Sequence, residues 1–314
     1  MKIIYLDQNK WVALARAVKF PAANPEVRAV LEKLCQALEA GRVVLPLTAT
    51  NIYETHKINV RERRFDLAYT LVTLSQGTVF RGRHKRLEVE VIDAVRGAYG
   101  LPKIARDETW FLSNVFFEST AEWGDVRLGN IVSEKVIGAI RHDPAFFLFD
   151  YLMETPEAVR ITGVARFSEG SEQLRQRIEE RRKRHAGESL SMRRKIQNAM
   201  LMINEIDLIR AFAGQAGVPN INPDEILRHT ARKIMNGTPT YIIEREIALR
   251  IESQYNRPID ENDFRDMQAF CAVVAYADVV VAENQFANLA RQAKLDKKFG
   301  TKIVTNILEL KDCL

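Results

Sequence analysis

Four acidic residues stand where apolar runs give way to helical patterns, and residues of that type in that place can do chemistry together. Asp7 follows Ile3-Ile4-Tyr5-Leu6, and Glu54 lies seven residues past Leu47, which closes the run Val43-Val44-Leu45-Pro46-Leu47. Asp266 comes one helical turn after Asp263, near the start of the helix that leads into Asp278-Val-Val-Val-Ala282. Glu283, with Asn284 beside it, follows that third run directly. If the three runs are neighbouring parallel strands, their carboxyl ends carry the four acids to one crevice, the place where open α/β sheets build their sites. Crowded carboxylates repel, and each holds protons more readily unless a cation neutralises them. Mg²⁺ or Mn²⁺ suits a donor set made only of oxygen. Such ions can activate a water and stabilise the leaving oxygen in phosphodiester hydrolysis.

Each acid also has a plain structural use. Asp7 or Asn9 can cap the helix that begins near Lys10. Asn51-Ile-Tyr-Glu54 has the form of a capping box. Asp263 and Asp266 fall in a first helical turn, where negative charge offsets the macrodipole, and Glu283 or Asn284 can cap the next helix. Jointly these uses explain less, because the acids recur at corresponding ends of the same kind of element. The chain has no G-x-G-x-x-G after a strand, no G-x-x-x-x-G-K-[ST], no H-E-x-x-H and no G-x-S-x-G, which removes the usual nucleotide-binding, zinc-protease and serine-hydrolase readings.

The elements that must position these residues follow from the patterning. The short run at Ile3–Leu6 lacks polar alternation and suits a strand buried on both faces of a parallel sheet. Pro46 makes the second strand end early or lie at an edge. Val27, Val30, Leu31, Leu34 and Leu38 recur at helical spacing, and Gly41 stops that helix. A helix with Arg61, Arg63 and Arg64 on its polar side runs to about Ser75, Gly77–Phe80 is a short strand, and Leu87, Val91 and Val95 mark another helix. From Pro102 to Asn222 the pattern is mostly helical, without β-α alternation. It holds one aromatic cluster at Trp110, Phe111, Phe116, Phe117 and Trp123 and another at Phe146, Phe147 and Phe149, both read as core. It also holds the basic run Arg181-Arg-Lys-Arg-His185 and a helix face at Met192, Ile196, Ala199, Ile203 and Ile206. Pro223 to Arg257 are again helical, and Ile303-Val304 forms a last strand. The expected organisation is one discontinuous sheet domain, residues 1–100 and 223–314, interrupted by a helical insert over 101–222.

The 314 residues, 28% charged and 46% hydrophobic, describe a globular chain with a sizeable core. The net charge of +5 and pI of about 9.0 are compatible with a polyanionic partner. Cys35, Cys271 and Cys313 are far apart, which argues against a zinc ribbon or disulfide framework and fits a reducing cytoplasm. The N-terminal run is too short for a signal peptide, and no apolar run is long enough to span a bilayer.

Over about 160 residues the order of these residues resembles the PIN-like nucleases. The matching stretches are Ile4-Tyr-Leu-Asp7-Gln-Asn9, Leu47-Thr-Ala-Thr-Asn-Ile-Tyr-Glu54, Asp266 with the apolar helix after it, and Asp278-Val-Val-Val-Ala-Glu-Asn-Gln-Phe286. The family pattern has a first Asp, usually with Asn two residues on, then a Glu on a helix, then an Asp. It closes with an acid or Asn in a strand-end motif. That fourth position falls on Glu283 or Asn284, and the motif register favours Asn284. The resemblance implies a three-layer α/β/α sandwich and Mg²⁺- or Mn²⁺-dependent cleavage of RNA, less often DNA. Asp7, Glu54 and Asp266 would hold the metal, with Glu283 or Asn284 completing the shell and Asn9 positioning Asp7 or a phosphate. Arg61, Arg64 and the basic run near Arg181 are candidate phosphate contacts. The expected product is an endoribonuclease, of toxin or defence type among other roles, which could pair with an inhibitor protein or with a second copy of itself. The alternatives are a catalytically inactive module of the same fold that binds nucleic acid, and an interaction protein whose helical insert is the working part.

Overall fold

The computed structural model describes residues 1–122, 132–218, 230–254 and 257–314. Its central feature is a four-stranded, all-parallel sheet in the order β2-β1-β5-β6, built from β2 (Val43–Val44), β1 (Lys2–Leu6), β5 (Val279–Val281) and β6 (Lys302–Val304). β1 pairs Lys2 with Val43 on one side and Ile4, Tyr5 and Leu6 with Val279, Val280 and Val281 on the other. Ile4, Tyr5, Leu6, Val280 and Val281 are fully buried, as a parallel strand covered on both faces requires. β2 is an edge strand of two residues that ends before Pro46, the outcome expected of a proline that cannot donate to a ladder. Leu47 makes one further bridge to Val79 of β3 (Val79–Phe80), which pairs antiparallel with β4 (Leu112–Ser113).

Most of the remaining chain is helical. Asp7, Asn24 and Thr48 are the N-caps of α1 (Gln8–Lys19), α2 (Pro25–Glu39) and α3 (Ala49–His56). α4 covers Arg61–Ser75. α2 buries the predicted stripe Val27, Val30, Leu31 and Leu34, and Gly41 just beyond it takes a positive φ of 62°. No helix among the described residues is long and apolar enough to cross a membrane.

The chain divides into two compact units with boundaries other than the expected ones. The first comprises residues 1–82, 111–171 and 261–314, and the second residues 83–110 and 172–260. Core packing gives the physical reason. Phe116, Ile137, Ile140, Leu148 and Leu152 fill the same core as Trp11, Leu34 and Val281, so residues 111–171 belong with the sheet. Leu87, Val91 and Val95 instead pack with Met202, Ile209, Phe212 and Tyr241, so the Arg83–Ala98 helix belongs with the second, helical unit. Hydrophobic spacing marks a helix and its apolar side but does not name the core that side joins. Asn222 and Pro223, where the boundary was expected, lie outside the described residues, as does Trp123.

Two smaller expectations are also corrected. The Leu190–Gln215 helix buries Met202, Ile209, Phe212 and Ala213, while Met192 and Ile203 of the expected face are exposed. Phe146 is likewise exposed, although Leu148 and Leu152 of its helix are fully buried.

Candidate functional site

Asp7 follows β1 and is fixed against the neighbouring β5. Its backbone N–H donates to the Val281 carbonyl at the end of β5, and its carboxylate accepts the Gln8 N–H at 2.8 Å, capping α1. Glu283 ends the turn after β5 as N-cap of the Asn284–Gln292 helix, but its side chain caps nothing. The Glu283 carboxylate instead accepts a 2.7 Å hydrogen bond from Asn9 Nδ2. Asn9 therefore orients Glu283, not Asp7.

The other two acids come from helices. α3 begins at Ala49, so its capping box is Thr48 with Asn51, whose Oδ1 accepts the Thr48 N–H at 2.9 Å. Glu54 is one full turn beyond the residues that cap, and the reading of Glu54 as part of the box is corrected. Asp266 sits at the matching sixth position of the Glu261–Val273 helix, past the first turn where it was expected. The two helices are tied by Thr50 Oγ1 donating to the Arg265 carbonyl at 3.4 Å and by Lys57 bridging to Glu261 at 3.0 Å.

The four carboxylates lie within one another's fields. Burial first, then the charges of Asp7, Glu283 and Glu54, push the Asp266 carboxyl up to about 8. Burial also drives Glu54 up to about 7, where Arg265 and Lys57 oppose the rise while Asp7 and Glu283 add to it. Asp7 is raised by burial and by Glu283, against the Gln8 N–H and Lys10. Beneath them the Tyr5 phenol is held neutral, chiefly by its complete burial and then by the Asp7 charge. Glu283, rather than Asn284, is thus the fourth member of the cluster, since its charge acts on Asp7, Glu54 and Asp266. Asn284 is an exposed first helical residue.

The donor set fits a hard divalent cation in kind: all oxygen, net negative, and short of positive charge. In distance the acids remain apart. Among the described residues no three His, Cys, Asp or Glu side chains stand together closely enough to hold a metal ion. The cations that act on the cluster are Arg265 and Lys57 at Glu54, Arg265 at Asp266 and Lys10 at Asp7. Of the two candidate arginines of α4, Arg64 is buried with Nη1 on the Ile58 carbonyl at 2.7 Å, and Arg61 is exposed and pairs with Glu154 at 2.6 Å. Of the basic run in the second unit, Arg181 is bound to Glu252 and Arg182 to the carbonyls of Ile251 and Arg257, which makes both struts. Lys183 and Arg184 are exposed.

Polar contacts that the sequence did not announce also shape the site. Gln8 is buried and links the two acid-bearing segments, donating to Thr55 Oγ1 at 3.1 Å and accepting from Asn51 Nδ2 at 3.0 Å. Asp263, also buried, accepts from Gln285 Nε2 at 2.7 Å. The signal for the first network was present: Thr48-x-x-Asn51 has capping-box spacing, and Asn51 and Thr55 share a face one turn apart. Comparison of the chain with protein-family models, with curated proteins and with solved structures gives no match.

Proposed function

We propose that the first unit is a PIN-like nuclease domain, a three-layer α/β/α sandwich whose acidic cluster binds Mg²⁺ or Mn²⁺ and hydrolyses phosphodiester bonds, as an endoribonuclease. The observation that carries this reading is the convergence of Asp7, Glu54, Asp266 and Glu283 from two strand ends and two helices, where neighbouring carboxylates raise the proton affinity of Asp7, Glu54 and Asp266. A fold gains nothing in stability from collecting like charges, three of them half-buried, so such a cluster points to a cation and to chemistry. RNA is preferred over DNA through the sequence resemblance, and the three free thiols suit a cytoplasmic setting. A bound divalent ion would supply water activation and charge neutralisation at phosphorus. The chain's own part is to hold the carboxylates: Asp7 through the α1 cap, Glu283 through Asn9, and Glu54 through the Gln8–Asn51–Thr55 network.

One observation favours a second reading. Arg265 already neutralises Glu54 from 3.4 Å, as it would in an inactive module that needs no metal and only binds nucleic acid or a protein. The deciding experiment incubates the purified protein with single-stranded RNA and with DNA in Mn²⁺, Mg²⁺ or EDTA. Metal-dependent cleavage that Asp7→Asn abolishes supports the nuclease. Failure to bind Mn²⁺ in a calorimeter supports the inactive module.

A further inference from the structure

The Leu190–Gln215 helix has two apolar sides, and its own unit uses one. Met202, Ile209, Phe212 and Ala213 are buried with Leu87, Val91 and Tyr241. The stripe Met192, Ile196, Ala199, Ile203 and Ile206 lies on another side and runs about 21 Å at a rise of 1.5 Å per residue. Met192 is 43% exposed and Ile203 66%, Ala199 is exposed, and Ile196 and Ile206 are half-buried. Single exposed apolar residues are ordinary. These five instead recur at intervals of 4, 3, 4 and 3 residues, the spacing of a coiled-coil seam, with β-branched Ile196 and Ile203 at one seam position and Met192, Ala199 and Ile206 at the other. The charges beside the stripe are ordered along the helix: Arg193, Arg194 and Lys195 stand at its start, Glu205 and Asp207 at its end. Arg193 and Arg194 turn inward to Ser253 and Glu246, and Glu205 turns inward to Arg83. Lys195 is exposed, and the Asp207 side chain is 92% exposed, with Arg210 3.7 Å away.

We propose that this stripe is a dimer seam, on which the same helix of a second copy of the chain lies antiparallel about a two-fold axis at the level of Leu201. A two-fold interface must be complementary to itself, and this one is. The axis sets Ala199 against the partner's Ile203 and Ile196 against the partner's Ile206, so the smallest side chain of the seam meets a large one. It also brings Lys195 level with the partner's Asp207. A parallel pair would instead stack Ala199 on Ala199, leaving a gap, and would set Lys195 on Lys195 and Asp207 on Asp207, where like charges repel. The seam belongs to the second unit alone and holds whether or not the first unit is a nuclease.

The test is sedimentation equilibrium of the full chain across the micromolar range. The average mass of the native protein is expected to climb from 35.9 kDa toward twice that value. Ile203→Glu places an unpaired charge in the seam, so association should weaken on the order of tenfold or more. Because that side chain is 66% exposed in the single chain, the melt at low concentration should not change. Lys195→Glu and Asp207→Lys should each weaken association several-fold, and an equal mixture of the two should regain it, because each changed side chain then meets the opposite charge. Recovery in the mixture also shows that neither variant is misfolded. A native protein that stays monomeric overturns the seam, and so does a dimer untouched by Ile203→Glu. Single charge changes that leave association unaltered, or a mixture no tighter than its components, overturn the antiparallel order. If the monomer instead sediments with phosphatidylglycerol vesicles and Ile203→Glu releases it, the stripe faces lipid and the dimer is overturned.

Discussion

Asp7 has two uses that one substitution separates. Its carboxylate caps α1 through the Gln8 N–H, and its charge is disfavoured by burial and by Glu283. Asp7→Asn retains an acceptor for the cap and removes the charge. The metal-free protein should melt at or slightly above the native temperature, while any nuclease rate falls on the order of a hundredfold or more. Full activity in Asp7→Asn would remove Asp7 from the site. Asp266 gives a prediction in pH. Its folded pKa is raised from the ordinary 3.8 to about 8, so between those values the folded state binds more protons than the unfolded state. Stability of the metal-free protein should therefore fall as pH rises from about 4 to 8 and then level, with Glu54, raised to about 7, contributing in the same direction. Melts in EDTA at pH 5 and pH 8 measure that loss. Asp266→Asn should flatten it and be the more stable protein at pH 8, and Mn²⁺ should restore the native protein there. A pH-independent native melt would show that the acids do not act on one another.

At the scale of elements, the strand ends were legible and the capping partners at the helix starts were not. β1 and β5 announce themselves as short apolar runs, and Asp7 and Glu283 could be placed from them because a strand's end is a local property of the sequence. The edge position of β2 followed from Pro46 for the same reason. Glu54, a candidate metal ligand, had a cap as its alternative use because Asn51 resembles an N-cap residue. The helix starts two residues earlier, at Ala49, where Thr48 and Asn51 satisfy each other. Arg64 was read as part of a polar helix side, but it is 5% exposed and donates to the Ile58 carbonyl. No local pattern reveals such a tertiary bond. The Gln8–Asn51–Thr55 network was missed likewise, because Gln8 and Asn51 are 43 residues apart. It yields a contrast between neighbouring residues of α3. Asn51→Ala removes the acceptor of the Thr48 N–H and leaves buried Gln8 Oε1 without a donor, a loss of about 1–3 kcal/mol in a urea titration. Glu54→Gln leaves the capping box intact and relieves a strained charge. It should cost no stability and still weaken Mn²⁺ binding. Equal destabilisation by both changes would mean that Glu54 serves the helix after all.

Across the whole molecule, charge is divided as unequally as the cores are. The first unit holds 24 Lys and Arg against 24 Asp and Glu, and the second holds 22 against 17, so the entire net charge of +5 belongs to the helical unit. A polyanion would be attracted to that unit, while the acidic cluster sits in the neutral one. The basic run near Arg181 was expected to contact phosphates as a block, but its members are not equivalent. Arg181 and Arg182 bind Glu252 and two backbone carbonyls, so replacing them should lower the melting temperature before it says anything about RNA. Lys183 and Arg184 are exposed and end the Glu157–Arg184 helix. If the helical unit holds RNA, the double change Lys183→Gln with Arg184→Gln should weaken binding on an Asp7→Asn background without altering the melt. Two fewer phosphate contacts on a single strand should make the slope of log affinity against log salt shallower by about 1.4. An unchanged slope and affinity would take these two side chains off the RNA path and leave them as solvated charges on a helix end, where cations are favoured by the macrodipole alone.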